Sequence, residues 1–559
     1  MPFLNTFFQS TGSVILYIFR MIIPLISIIV VIKCFVSLKR GRRREDPVVL
    51  LEDRITHETI PVLYWENSLG RSKSCDIVLH DATASRSHAV LMRRESGWIV
   101  TDTESKSGTF VNGTKISRPT QIYPGDSVVL GSTSLQFQRV GNEEGKRNVR
   151  RVRRAASPFR LLLAVTLVQL LLLVQACFAG GVFSYLPVIP FGLIAVTEWT
   201  LYLFSMKGLG RVSFELETVG FLLTSIGMML ISGTGVKSTY TQLVSMVIGV
   251  VLFCVLIWFL GDLERVMKSR IFIGGLAVLL FAANLVFAHE QNGARNWINI
   301  GGVGVQPSEF IKIAFVFVGA STLDRLQTAK NLTGFITFSA ICMGALFLMR
   351  DFGTACIFFV TFLIIAFMRS GSVRTIALIC AVAVFGVFLI LKFRPYVAQR
   401  FSAWRHVWEH VNDSGGYQQT RVMSYTASGG LFGMGIGNGK LKSVFASTSD
   451  LVFGMLCEEM GLILALVVVI SIALLMLYAR SDVTRSRSTF YSISACAAAG
   501  MMLFQACLNV FGATDVLPLT GVTLPFVSAG GSSMVAVWGL LAFIKASDER
   551  TYAARRKSR

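Results

Sequence analysis

Residues 447–466 read STSDLVFGMLCEEMGLILAL, an apolar stretch with an aspartate at its edge and two adjacent glutamates inside it. In a soluble helix those acids would face water. In a membrane span Glu458 and Glu459 are expensive and require a partner or a task. On this stretch alone Asp450 is either a cap for the helix that follows or a carboxylate placed to accept a proton. GARNWINIGGVGVQPSEFIKIA (293–314) carries Arg295 and Trp297 in a Gly-rich loop, then Glu309 and Lys312 one helical turn apart, a spacing that suits an intramembrane ion pair as well as chemistry. RDFGTA (350–355) sets Asp351 beside an arginine. GGYQQTRVMSYTASGGLFGMGIGNGK (415–440) reads as a glycine-rich loop too flexible to be a plain connector. TGVTLPFVSAGGSS (520–533) carries Ser528 and ends in Gly530, Gly531, Ser532 and Ser533, either a tight helix-packing turn or donors lining a cavity.

The elements that must hold these groups are apolar. Of the 559 residues 53% are hydrophobic and 15% charged, where a soluble chain carries charge at about a quarter of its positions. About twelve apolar segments follow residue 158: 158–178, 183–205, 216–233, 241–261, 272–288, 306–323, 334–349, 354–369, 374–392, 452–478, 489–512 and 528–546. Long runs of this kind cross a hydrocarbon core of about 30 Å as helices. A further apolar run at 13–36 has no basic segment before it and no small-residue cleavage site after it, so it reads as a retained anchor with its N-terminus outside. The fold class is a polytopic α-helical membrane protein of about 13 transmembrane helices with a small cytoplasmic all-β sandwich.

The net charge of +21 is gathered into short clusters between apolar runs, KRGRRR (39–44), KRNVRRVRR (146–154) and RRKSR (555–559). That is the positive-inside pattern, suited to anionic membrane lipids, and not a basic face for nucleic acid. Alternating the spans puts most short basic loops and the C-terminal tail, 549–559, in the cytoplasm. A long loop, 393–449, and the mouth bearing Asp450 then lie outside. The ten cysteines are scattered singly, without zinc or disulfide spacing.

Residues 46–140 are different: short β-like runs separated by turns, followed by a basic linker, 141–157. GRSKSCDIVL (70–79), SRSH (85–88) and SKSGTFVNG (105–113) resemble a forkhead-associated (FHA) domain. The resemblance implies phosphothreonine binding through Arg71, Ser85, Arg86, Ser107 and Asn112. Arg71 would be the phosphate clamp and Ser85 a hydroxyl donor, while Gly70, His88 and Gly113 would serve the fold. The sequence departs from the family at Ser107, where asparagine is frequent, and at Lys106, where Ser or Thr is. Those exchanges are expected to weaken binding or alter its selectivity. The alternative is a sandwich kept as a scaffold.

Residues 210–548 resemble the SEDS family, the FtsW/RodA/SpoVE-type peptidoglycan polymerases, through the ordered set of motifs above. Spans 158–205 and the anchor lie outside that resemblance. It implies a glycosyltransferase that polymerises lipid II on the outer membrane face, with Asp450 at the family's acidic position. Thr448-Ser449-Asp450-Leu451 stands where His-Thr-Asp-Phe is usual. Such chemistry needs a carboxylate base for the attacking hydroxyl and cations for the departing pyrophosphate. Asp450 is the expected base. Arg295, Lys312, Arg400 and Arg421 are the candidate cations, and Trp297, Glu309, Asp351 and the 528–533 turn complete the lipid II site. Glu458 and Glu459 are assigned to structure, with Lys312 or a water-filled cavity as partner. No cofactor is required, though a divalent cation (Mg or Mn) stays open. The expected partners are a class B penicillin-binding transpeptidase and, through the FHA module, a phosphothreonine protein and its Ser/Thr kinase, at a bacterial plasma membrane. A lipid II flippase and a noncatalytic scaffold are the competing functions.

Overall fold

The computed structural model describes residues 13–40, 49–62, 65–72, 75–94, 97–139, 156–181, 183–209, 211, 213–291, 294–300, 303–322, 329–370, 373–374, 376–381, 384, 404–412, 416–483, 486, 488–548 and 551. Most of the 141–157 linker, most of the 374–392 segment, Arg400 and nearly all of the 549–559 tail lie outside the described residues, and of Arg295 only the backbone lies within them.

The soluble part is a sandwich of two sheets. Strands β1 (Val49–Asp53), β2 (Thr59–Val62), β7 (Thr109–Val111), β8 (Thr114–Lys115), β10 (Ser127–Leu130) and β11 (Thr133–Arg139) form one, in the order β2-β1-β11-β10-β7-β8. β3 (Glu66–Gly70), β4 (Ile77–Val78), β5 (Ala89–Arg94), β6 (Gly97–Asp102) and β9 (Thr120–Ile122) form the other, in the order β4-β3-β5-β6-β9. Alternate residues point inward, as in β10, where Val128 and Leu130 are buried between half-buried neighbours. Leu51, Leu69, Leu91, Val100, Leu135 and Phe137 meet between the sheets, with Trp98 edge-on to Phe137.

In the membrane part the helices are α1 (Ser13–Arg40), α2 (Pro158–Cys177), α3 (Val188–Leu203), α4 (Glu215–Ser232), α5 (Val236–Leu260), α6 (Leu263–Phe287), α7 (Pro307–Thr322), α8 (Ala329–Leu348), α9 (Phe352–Ser370), α10 (Tyr417–Gly429), α11 (Val452–Met460), α12 (Leu462–Asp482), α13 (Thr489–Ala513) and α14 (Gly531–Ser547). Among the described residues nine helices are long and apolar enough to cross a membrane. α4, α13 and α14 form the buried centre, with Trp538 of α14 ringed by Phe221, Phe253 and Phe526. α6 lies at the periphery, its apolar side chains largely exposed, as suits contact with lipid.

Three expectations change. The single span expected at 452–478 is two helices, broken at Gly461, whose φ of +89° only glycine adopts readily. A Cβ there would also lie 2.2 Å from the Leu431 carbonyl oxygen. Glu458 and Glu459 therefore end a short helix and are not set deep within a span. The glycine-rich stretch 415–440 contains a 13-residue helix, α10. The 293–305 loop is built on a small sheet of β12 (His289–Gln291), β13 (Ala294–Ile300) and β14 (Val303–Val305).

Asp81 is the main polar tie of the sandwich. Its carboxylate accepts from the Thr83 amide and hydroxyl at 2.8 and 2.7 Å and from the Ser132 and Thr133 amides at 2.7 and 3.1 Å. Burial acts to raise its pKa, but these bonds from Thr83 and Ser132 outweigh that and hold it well below the usual carboxylate range. A depressed pKa stabilises the fold fully above the unfolded value near 4, and that contribution is lost as pH falls through and below it. Hydrogen exchange of the sandwich amides in the intact protein should accelerate as pH drops below about 4 after correction for intrinsic rates. Asp81→Asn should be faster at neutral pH, by a loss of about 1–3 kcal/mol, and should lose most of the acid dependence.

Candidate active site

Asp450 lies at the end of a tight turn. Ala446, itself at φ +60°, offers its carbonyl to the amides of Ser449, Asp450 and Leu451 at 3.2, 3.0 and 3.1 Å. Leu451 is the N-cap of α11, and its side chain makes no capping bond. The half-buried carboxylate faces the 514–530 segment, so close that a Cβ on Gly521 would stand 3.3 Å from Asp450 Oδ2.

That segment is irregular chain inside the bundle, and polar side chains hold it. Asn509 Nδ2 donates to the carbonyls of both Asp450 and Val522, at 2.8 and 2.7 Å. Ser528 Oγ donates to the Ser449 carbonyl at 2.5 Å and accepts from the Leu524 amide, while the Ala529 amide donates to Thr448. Gln242 of α5 binds the Ser528 carbonyl and the Gly530 amide. Ser532 accepts from the Gln306 amide, and Ser533 exchanges a bond with Thr523. The Gly530-Gly531-Ser532-Ser533 turn thus resolves toward packing: Gly530 caps α14 and both serines are buried.

Lys312 is 1% exposed, and its Nζ donates to Glu309 Oε1 at 2.7 Å and to Gln505 Oε1 at 2.9 Å. Gln505 donates onward to Thr523. In this arrangement Lys312 and Glu309 are a buried structural pair, and Lys312 is not presented to a departing pyrophosphate. Asp351 is similarly occupied: Oδ1 caps α9 through the Thr354 amide, and Oδ2 holds Asn296 and Gln306 beside the β13–β14 hairpin. Trp297 packs over Gly304 within that hairpin. Arg421, half-buried on α10, lies 5.1 Å over the Tyr417 ring.

The partner expected for the glutamate pair is corrected. Glu458 accepts from the Lys440 and Leu441 amides at 2.7 and 3.0 Å, and Glu459 accepts from the Gly437 amide at 3.1 Å. Backbone amides, not Lys312, hold these acids, with Glu459 Oε2 buried and unpartnered among the described residues. Among the described residues no three His, Cys, Asp or Glu side chains gather as a metal-holding group.

On the sandwich, Arg71 and Arg86 are exposed and Ser85 is half-buried. Gly70 lets the 85–88 loop cross close by: a Cβ would stand 2.5 Å from the Arg86 carbonyl. His88 is fully buried, accepting from the Ser85 amide at Nδ1 and facing the Gly108 carbonyl at Nε2. The Lys106 amide donates to Ser85 Oγ, which leaves the hydroxyl proton available to a ligand. Asn112 and Gly113 form the positive-φ turn between β7 and β8. The Asn112 side chain is bonded to Asp126 and the Ser127 amide, so it braces the turn. Ser107 is exposed, 3.5 Å from the Thr83 carbonyl.

Sequence reading missed Gln505, Asn509, Gln242 and Glu66. The first two carried a signal, amides four residues apart in an otherwise apolar helix, hence on one face. Glu66 carried none. From β3 its Oε2 accepts from the Thr489 amide and hydroxyl at 2.9 and 2.8 Å, at the first turn of α13.

The FtsW/RodA/SpoVE cell cycle protein profile matches residues 214–552, and the FHA domain profile matches residues 67–131. Over 270 residues the chain is 30% identical to the probable peptidoglycan glycosyltransferase FtsW of Buchnera aphidicola, covering 46% of this chain and 67% of that one. It is 26% identical over 330 residues to the peptidoglycan glycosyltransferase RodA of Mycobacterium leprae, covering 56% and 70%. A solved structure described as coordinating polymerization and crosslinking in a peptidoglycan synthase complex shares the fold, with a TM-score of 0.51 and 22% identity, covering 62% of this chain and 98% of that one.

Lys312→Ala should strand Glu309 as an uncompensated buried charge and cost about 3–5 kcal/mol, read as a lowered unfolding midpoint in detergent. Replacing both partners, Glu309→Gln with Lys312→Met, should recover most of that loss. A single substitution no more harmful than the double would remove the pair from its structural role.

Proposed function

The chain belongs to the FtsW/RodA/SpoVE family, and on that premise we propose that it is a peptidoglycan glycosyltransferase polymerising lipid II, with Asp450 as the general base. The observation that carries this is the placement of the half-buried Asp450 carboxylate against Gly521, in an irregular, internally bonded segment within the family-matched region. Asp450 takes the proton of the attacking sugar hydroxyl as its oxygen bonds to the anomeric carbon. The pyrophosphate leaves from the opposite side with its electron pair, inverting the centre. Asn509 and Ser528, acting on the Asp450 and Ser449 carbonyls, position the acid. With Lys312 spent on Glu309, the arginines at 295, 400 and 421 are the cations assigned to the pyrophosphate.

The sandwich is proposed to be cytoplasmic and the Asp450 mouth extracellular, at a bacterial plasma membrane. Helix α13 supports this: Thr489 meets the sandwich, Asn509 meets Asp450, and the two lie about 30 Å apart along the helix, one hydrocarbon thickness. Helix α1 runs in reverse over about 25 Å, with Arg20 beside Gly433 and Ser37 bonded to Glu215. The FHA face reads a phosphothreonine protein made by a Ser/Thr kinase, and a class B penicillin-binding transpeptidase is the partner that crosslinks the product.

Glycan synthesis from purified lipid II, by the reconstituted protein with its transpeptidase, tests the first claim. Asp450→Asn should fold and lose about 10²–10⁴-fold in polymerisation rate. Equal polymer from both proteins removes Asp450 from the mechanism, and no polymer from either, with lipid II still crossing vesicles, favours a flippase. For the second claim, intact protein in detergent should bind phosphothreonine peptides and not their unphosphorylated forms. Arg71→Ala should weaken that by about 10–100-fold, the worth of a charge-assisted clamp.

A further inference from the structure

Residues 430–441 run from α10 toward the Asp450 turn without regular structure, through four positive-φ glycines, 430, 433, 435 and 437. One side of this strap is held by α11: the Met434 and Gly435 amides donate to the Glu458 and Glu459 carbonyls at 2.9 Å each, and both carboxylates take amides from 437 to 441. The other side is held from outside the family-matched region. Arg20 of α1 donates from Nη1 to the Gly433 carbonyl at 2.6 Å, its guanidinium 5.3 Å from the Tyr17 ring, which meets Phe432 edge-on. Just past α2, the Gly180 amide donates to the Ile436 carbonyl at 2.9 Å, and a Cβ on Gly437 would stand 2.7 Å from the Gly180 nitrogen. Gln175 of α2 in turn binds the Leu16 carbonyl of α1, locking the two clamping helices together.

We infer that α1 and α2 belong to the catalytic apparatus, with Arg20 as a positioning residue that sets the 430–441 strap and, through it, the Asp450 turn. The strap holds itself in part, Asn438 bonding back to the Met434 and Gly435 carbonyls, and two of its outer carbonyls are taken from α1 and the end of α2. Its glycines carry the largest entropy cost of ordering, and its carbonyls at 433 and 436 point away from α11, where only α1 and the end of α2 supply donors among the described residues. A charged donor to one of those carbonyls is worth more than a neutral one.

The activity consequence rests on the polymerase reading, so the test has a second readout. Hydrogen exchange of the intact protein in detergent should show the 434–441 amides exchanging about tenfold faster in Arg20→Ala than in wild type, with the sandwich unchanged. In the polymerisation assay the same variant should lose about tenfold in kcat with KM within twofold, and Arg20→Lys, which keeps a cationic donor, should recover most of both. Unchanged exchange at 434–441 in Arg20→Ala overturns the inference whatever the activity. Faster exchange with wild-type kcat overturns the catalytic part. Faster exchange in a protein whose wild type makes no polymer upholds the strap and instead sinks the polymerase reading.

Discussion

Hydrocarbon offers no hydrogen bonds, so irregular chain can enter a membrane bundle only where the protein satisfies its backbone. Everything around Asp450 follows from how that constraint is met. Gln505 and Asn509, two amides on one face of α13, take the carbonyls of Thr523, Val522 and Asp450. Gln242 and Ser528 hold the far end of the same segment. Each amide side chain can donate and accept, which lets Gln505 receive Lys312 while holding Thr523. The acid is thereby fixed through its main chain.

The same constraint explains why so many charged groups here have no chemical task. A carboxylate is a strong acceptor for amides that lack a partner. Glu458 and Glu459 meet that need in the 430–441 strap, Asp351 at the start of α9, and Glu66 at the start of α13. Lys312 and Glu309 neutralise one another where neither could stand alone. Polarity within an apolar run is thus a sign of irregular backbone nearby at least as often as of a reacting group.

This bears on what could be read in advance. The sandwich was legible because its strands alternate with period two and its loops carry marked residues in order. The apolar helices were legible by length. The break at Gly461 was not, because VFGMLCEEMGLILAL carries two glycines, the first of which sits inside the helix, and what demands the second is the Leu431 carbonyl, far off in sequence. Helix α10 was hidden for the opposite reason: its flanking glycines suggest a loop, yet they serve close approach, as where a Cβ on Gly429 would meet the Cys457 carbonyl at 2.1 Å. The Lys312–Glu309 pair could be read from its spacing, but the further partners, Gln505 for Lys312 and Asn296 with Gln306 for Asp351, could not, because residue type and spacing do not reveal a contact from another element.

Glu66 lies outside any motif, yet it joins the chain's two parts. It opens β3, and that strand ends at Gly70, next to Arg71. One short strand thus links the exposed arginine to the first turn of α13, where a carboxylate is doubly favoured, by free amides and by the helix dipole. Twenty-five residues of nearly uninterrupted helix lead from there to the amides that hold the Asp450 segment. Two sets of contacts meet at the Asp450 turn: α13 reaches it from the side of the sandwich, and the strap held by α1 and α2 reaches it from the opposite end of the helices. The turn itself is closed on the single carbonyl of Ala446, and its Thr448, Ser449 and Asp450 carbonyls are each tied to the 509–529 region, so contacts from both ends meet on the same few residues.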